Sequence, residues 1–325
     1  VNFVSPSITT SGNLVHQQQR ILNQMIKPFE VYGIGQCCID YIVKIDQYPA
    51  PNTKHEFSEM LIQGGGPVAT ALVALARWGI SCTFCGVIGN DEFGRKIQQS
   101  FDDEGIDTSG LIVREKGHSQ FAFILAEPGT GRRTIFWRRP TCQFPKADEL
   151  NYDHIRNSKV IHTDGLLMDA SLAVSKAAKE AGIMVVVDAG SLREGMIELA
   201  RYSDYFIASE KFSTQYINGA SPIETCQKLA ELGPKLTAVT LGERGYVAFC
   251  QGKIIQEPAY DANPVDTTGC GDVFHAGFIY GLIQEWRMEK CLDFSAWAAA
   301  MCSLRLGGRD GIPSVQDWKS RTENS

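Results

Sequence analysis

Asp266-Thr-Thr-Gly-Cys-Gly-Asp272 sets two carboxylates around small and hydroxyl side chains, and an apolar run begins immediately after it. Thr-Thr-Gly-Cys-Gly cannot build a core, so its use lies in the backbone. A Gly-Cys-Gly turn running into a helix presents consecutive N–H groups at the positive end of the helix dipole, a ready site for an anion. Gly269 and Gly271 let a ligand come close to that backbone. A phosphoryl group in transit carries negative charge on its equatorial oxygens and needs such donors. Asp272, at the start of the same helix, can accept the proton of an attacking hydroxyl. The stretch thus combines an anion hole, made by the amides of Gly269, Cys270 and Gly271, with a general base. A plain Asp N-cap would account for one aspartate and leave the Gly-Cys-Gly unexplained.

Other phosphate-binding patterns are incomplete. Gly33-Ile-Gly-Gln-Cys-Cys38 follows a strand but lacks the third glycine of a dinucleotide fingerprint, and no helix opens there. Gly89-Asn-Asp-Glu-Phe-Gly-Arg-Lys96 lacks the Lys-Ser/Thr ending of a P-loop. Another loop must hold any nucleotide. His162 and His275 have no neighbours at metal-ligand spacing and read as structural histidines. Asp164 ends a strand and is expected at the cleft.

The elements that must position these residues follow from periodicity. Val31–Gly35, Asp40–Asp46 and His55–Gln63 read as strands. After Gly64-Gly-Gly, Pro67 suits a first helical turn, and Val68, Ala71, Leu72, Leu75 and Ala76 recur at helical spacing up to Gly79. Ser119–Arg139 holds two alternating strands around a Pro/Gly/Thr turn, an antiparallel hairpin. Strand and helix then alternate to the closing helices. Near-continuous apolar strands between helices predict an α/β fold, a parallel central sheet covered by helices on both faces, with a small β-sheet lid from about residues 40–63 and 119–139. Residues 1–30 are polar and are expected to form an extension outside the main fold of residues 31–325.

The 325 residues are 44% apolar and 21% charged, which fits a large globular domain. A net charge of −6 argues against a nucleic-acid partner held through a basic surface. No apolar run approaches the ~20 residues of a membrane span, and the first residues lack a signal-peptide pattern. Ten cysteines are too few for a disulfide scaffold in so long a chain. Cys82 and Cys85 lie in one strand, where residues three apart face opposite ways, so they read as structural in a reducing cytoplasm.

The chain resembles the ribokinase-like (PfkB) carbohydrate kinases over about Val31 to Ser314. "QGGGPVATALVALARWG" resembles the N-terminal glycine signature, and "DTTGCGDVFHAGFIYGL" the C-terminal one, with Cys270 where alanine is common. The resemblance implies an ATP-dependent sugar kinase with Asp272 as the base that activates a sugar hydroxyl. Gly269, Cys270 and Gly271 would form the anion hole. Asp40, Gly65 and Gly66 would hold the sugar, and Thr240, Gly242 and Gly245 of "TLGERG" would sit near ATP. Mg²⁺ would bridge the phosphates. Asp266 and Thr268 would help hold K⁺ or another monovalent cation, completed by carbonyls near "SLRLGGRDGIPS". Three departures stand out: Ala69 where asparagine is frequent, Ser209 and Phe212 in place of an Asn-x-x-Glu pair that positions Mg²⁺, and the N-terminal extension.

The substrate is read from the lid. Arg138 and Arg139 face opposite ways on an alternating strand, so at most one points at the sugar; Arg138 is taken as that residue. With Lys54 it could read an anionic group, or these cations could protect a sheet edge. Phe121, Phe123 and Trp137 would cover a sugar face or join two lids in a homodimer. The alternatives to a sugar are a nucleoside, a sugar phosphate, sulfosugar or sugar acid, or a retired scaffold protein.

Overall fold

The computed structural model describes residues 29–127 and 132–323. Most of the proposed extension, residues 1–28, and the Pro/Gly/Thr turn at 128–131 lie outside the described residues. β1 (Val31–Ile34), β4 (Cys82–Gly89), β8 (Val160–Thr163), β9 (Met184–Ala189) and β10 (Tyr205–Ser209) are apolar and almost wholly buried, as strands covered on both faces must be. With β5 (Asp107–Arg114), β11 (Leu236–Thr240), β12 (Tyr246–Cys250) and β13 (Lys253–Glu257) they form a nine-stranded sheet in the order β13-β12-β11-β10-β9-β8-β1-β4-β5. It is parallel from β11 to β5, and β12 and β13 add antiparallel at one edge.

Helices cover both faces. One core joins the sheet to α1 (Pro67–Arg77), α8 (Cys270–Ile283) and α9 (Met288–Cys302). The other joins it to α4 (Met168–Glu180), α5 (Met196–Arg201) and α7 (Pro222–Ala230). Cys82 belongs to the first core and Cys85 to the second, the two-faced placement expected of residues three apart on a strand. Short helices α2 (Glu92–Asp102), α3 (Tyr152–Arg156) and α6 (Glu210–Tyr216) and the late α10 (Val315–Glu323) complete the order.

α8 deserves its position by packing. Every residue from Val273 to Leu282 is buried. Gly277 lies against Ser295 and Gly281 against Cys291, so closely that an added Cβ would collide with α9. Five large apolar side chains (Val273, Phe274, Phe278, Ile279, Leu282) leave water there, worth roughly 10 kcal/mol. The helix that begins at the Gly-Cys-Gly turn is therefore held on all sides.

A second sheet, in the order β3-β2-β6-β7, is made by β2 (Cys38–Lys44), β3 (Glu59–Gly65), β6 (Gln120–Glu127) and β7 (Arg132–Arg138). β6 and β7 pair antiparallel, as the hairpin reading required, and β2 pairs parallel with β6. Its register sorts side chains by face. Asp40, Ala122 and Trp137 align, as do Ile42, Ile124 and Ile135, and then Lys44, Ala126 and Arg133. Ile42, Ala122, Ile124 and Ala126 bury a small core with Leu306 on this face.

Candidate active site

The site gathers where the first strands of the parallel sheet end. The order reverses around β1, between β8 and β4, and open α/β sheets leave a crevice beyond the carboxyl ends at such a point. Gln36 follows β1 and Asp164 follows β8; Asp188 and Ser209 lie at the ends of β9 and β10. Asp164 accepts hydrogen bonds from the amides of Gln36 (3.1 Å) and Leu166 (2.9 Å). Burial, reinforced by the charge of Asp188, pushes its carboxyl up to about 7.

The Asp266–Asp272 stretch is shaped by its first carboxylate. Asp266 is fully buried and accepts from the amide (2.8 Å) and hydroxyl (2.7 Å) of Thr268 through one oxygen. Its other oxygen accepts from the amide of Gly307 at 2.9 Å. One side chain thus ties the turn to the loop after α9. Gly269 then caps α8 at φ 76°, and an added Cβ there would strike Gly308. Having no side chain, Gly269 leaves the first-turn amides of α8 without a side-chain cap, and that of Cys270 makes only a long bond, 3.4 Å, to the Thr267 carbonyl. Gly271 opens onto free space. Asp272, partly buried, stands in that first turn. Burial, with the charge of Asp188, raises its carboxyl well above the usual carboxylate range, and Arg133 opposes the rise.

Facing this turn is the second sheet. Asp40 is buried, and its carboxyl is raised by that burial; the Cys38 thiol, which donates to it at 3.2 Å, and Arg309 offset part of the rise. Gly65 lies against the Asp40 carboxylate, which occupies the room a side chain would take. Gly66, at φ 108°, passes the Gln36 carbonyl too closely for any Cβ. Arg133 reaches across from β7 and donates to the Thr267 hydroxyl at 2.6 Å.

The "TLGERG" loop sits at the end of β11. Thr240 donates to the Ala208 carbonyl at 3.4 Å. Gly242, at φ 61°, faces open space, whereas Gly245, at φ 86°, is pressed against Glu257 and Pro258. Ser209 donates to the Gly190 carbonyl at 2.8 Å and caps α6 by accepting from Phe212 N. Glu210 forms an ion pair with Arg244 of the same loop. Among the described residues no group of three or more His, Cys, Asp or Glu is placed to hold a metal ion.

Residues 30–315 match the profile of the family described as pfkB family carbohydrate kinase. The chain belongs to that family. It is 26% identical to Fructokinase-2 of Oryza sativa subsp. japonica, over 89% of this chain and 92% of that one. It is 24% identical to a 5-dehydro-2-deoxygluconokinase of Shouchella clausii, over 91% and 96%. An Arabidopsis thaliana ribokinase solved with ribose and ATP shares the fold at a TM-score of 0.75, with 23% identity, over 89% of this chain and 97% of that one. The α/β architecture expected from the strand and helix pattern, and the ribokinase-like fold implied by the resemblance, are the ones observed.

In this pfkB kinase one sequence reading is corrected. Arg138 pairs with Phe121, and residues paired across strands share a face, so both lie opposite the face that carries Asp40. Phe123 and Phe136 share that outer face, so neither Phe121 nor Phe123 can cover a ligand beside Asp40. Trp137 and Arg133 are on the Asp40 face instead, and Arg139 stacks on Trp137 with its guanidinium 4.7 Å from the ring centre. Sequence reasoning also passed over Arg133, Asp188 and Arg309. Arg309 is buried, and burial pushes its guanidinium down to about 10 while Cys38 and Asp40 hold it up. A lone arginine in a Gly-rich loop carries no sequence signal of its burial. No described helix is long and apolar enough to cross a membrane.

Proposed function

We propose that this kinase transfers the terminal phosphoryl group of ATP to a hydroxyl of a neutral sugar held under the second sheet. The observation that carries the reading is a carboxyl with a raised pKa, Asp272, in the first turn of α8, beside open backbone at Gly271. Asp272 takes the hydroxyl proton as the oxygen attacks. The amides of Gly269, Cys270 and Gly271 receive the charge that gathers on the transferring group. Arg133, bonded to Thr267 at the mouth of the turn, adds a cation from the lid. Asp40 accepts sugar hydroxyls, with Gly65 and Gly66 at its side. Thr240, Gly242 and Gly245 border the nucleotide, and Gly242 offers it open backbone.

Carboxylates outnumber cations here: Asp40, Asp164, Asp188, Asp266 and Asp272 against Arg133, Arg193 and Arg309. Such a lining suits hydroxyl donors better than an anionic substrate. The phosphates of ATP need Mg²⁺, which when bound neutralises the charge they share. With Ser209 capping α6 and Glu210 paired to Arg244, neither is free to hold it tightly. A monovalent cation beside Asp266 and Thr268 fits the lone pair left on Asp266, which already accepts from Thr268 N, Thr268 Oγ1 and Gly307 N.

An ADP-release screen with MgATP, with and without K⁺, against neutral sugars, nucleosides, sugar acids and sugar phosphates tests the reading. Turnover on neutral sugars is expected. Turnover confined to nucleosides or anionic sugars overturns the substrate class, and ATP binding without turnover on any member favours a retired scaffold. In the active pair, Arg133→Ala should lower kcat by about 10²-fold or more while moving the sugar KM only a few-fold. A large KM change with kcat intact would make Arg133 a substrate-reading residue.

We also propose a homodimer through the second sheet. Met60, Ile62, Phe123 and Phe136 lie on the face opposite Asp40, each about half exposed, an apolar patch that suits burial against a second copy. Phe136→Asp should convert a sedimenting dimer to a monomer; a wild-type monomer at high concentration would end the idea.

A further inference from the structure

We infer that His275 stands as an imidazolium paired with Asp188, and that this buried pair is the positioning charge behind Asp272. The role given to Asp272 rests on the kinase reading above; the state of His275 does not.

The argument begins with hydrogen-bond donors. His275 Nδ1 lies 2.7 Å from the carbonyl oxygen of Gly271, one turn earlier on α8. A carbonyl can only accept, so Nδ1 carries a proton. Nε2 lies 3.4 Å from the carbonyl oxygen of Ile207 on β10, which again can only accept. A neutral ring has one N–H and would turn a bare lone pair toward one of these oxygens. The cation donates to both.

A buried cation needs a counter-charge. Asp188 Oδ2 lies 3.6 Å from Nδ1, and both side chains are nearly excluded from water. The neighbouring ring takes the opposite state. His162 stacks on His275 at 5.8 Å and 27° and donates through Nδ1 to the Val186 carbonyl at 3.2 Å. Its Nε2 is buried without a partner, as suits a neutral ring, and burial with the charge of His275 pushes its pKa down to about 3. Two stacked imidazoliums would repel, so the charge resides on the ring that has Asp188.

The other titratable groups around this pair are few. They include His162 on β8, Asp272 and Cys270 on α8, Cys302 on α9, and Arg193 after β9, which acts on Asp164. Asp164 faces Asp188 from β8, Arg133 and Asp40 act on Asp272 from the lid, and Arg77 lies at the far end of α1, paired with Glu104. Asp188 raises the carboxyl of Asp272, and a cation paired with Asp188 offsets the charge that does so. The pair therefore helps set the pH at which the base is ready.

Two measurements test this. In ¹⁵N-histidine-labelled full-length protein near neutral pH, the His275 ring, identified by its loss in His275→Asn, should show a proton on both nitrogens. A single ring N–H overturns the proposal without reference to activity. In the active enzyme, His275→Asn keeps a donor for the Gly271 carbonyl and removes the charge. The acid limb of its kcat profile should move up by about one pH unit, and that of Asp188→Asn should move down by about as much. Unmoved limbs in both variants also overturn it, because a purely structural role would change the height of the profile and not its position. A wild-type chain without turnover, but with both ring protons in place, would sink the kinase reading alone.

Discussion

Asp272→Asn is expected to lower kcat by about 10²- to 10⁴-fold, the usual contribution of a positioned general base, while ATP still binds. The same variant should be more stable than the parent at neutral pH. The reason is linkage. The folded state raises the Asp272 carboxyl far above its unfolded value, through burial and the charge of Asp188. A raised carboxyl favours the fold at acid pH, below its unfolded pKa, and that contribution is lost as pH rises through the folded value. Asparagine has no charge to lose. Its advantage in melting temperature, on the order of 2 °C or more at neutral pH, should vanish below about pH 4. Thermal melts at both pH values, with single-turnover rates, check the pair of effects. An Asn variant that turns over normally would remove Asp272 from the chemistry.

The second large effect separates the two glycines that flank Cys270. Gly269 has φ 76° and its missing side chain abuts Gly308. Alanine there meets left-handed strain of about 1–2 kcal/mol and a backbone collision, so the turn must leave the Gly307–Gly308 loop to which Asp266 ties it. Gly269→Ala should therefore lose stability as well as about 10²-fold or more in kcat. Gly271 lies inside α8 with open space where a Cβ would go. Gly271→Ala should fold as well or better, since alanine favours a helix by up to about 1 kcal/mol. It should still lose activity, because the methyl group enters the space left for the ligand. Melting temperature and kcat measured together tell the cases apart: equal activity losses with equal stability losses would mean that the turn is only structural.

Much of this was legible in the chain. The Asp-Thr-Thr-Gly-Cys-Gly-Asp order carries its chemistry locally, because a glycine turn and a helix start are adjacent in sequence. The parallel sheet was legible because strands buried on both faces leave continuous apolar runs. β5 was missed, since Asp107-Thr-Ser-Gly110 begins it and its sides are only half buried. The face of Arg138 was misread for a related reason. Which way a strand residue points depends on register with its neighbours, and a shift of one residue reverses every side chain. Arg133, Asp188 and Arg309 become site residues only when β7, β9 and the loop after α9 meet in space.

The packing of α8 has a consequence for how such an enzyme can change over time. Its first turn presents Asp272 and the open amides, and the rest of the helix is enclosed, with glycines locked against α9. β7, by contrast, is exposed along its whole length, an edge strand of a small sheet. Replacing a side chain on β7 costs the core little, while replacing one on α8 costs it heavily. Apart from Arg133, which the proposed reaction uses, the rim can then vary with the substrate while the base and its turn stay fixed in the interior.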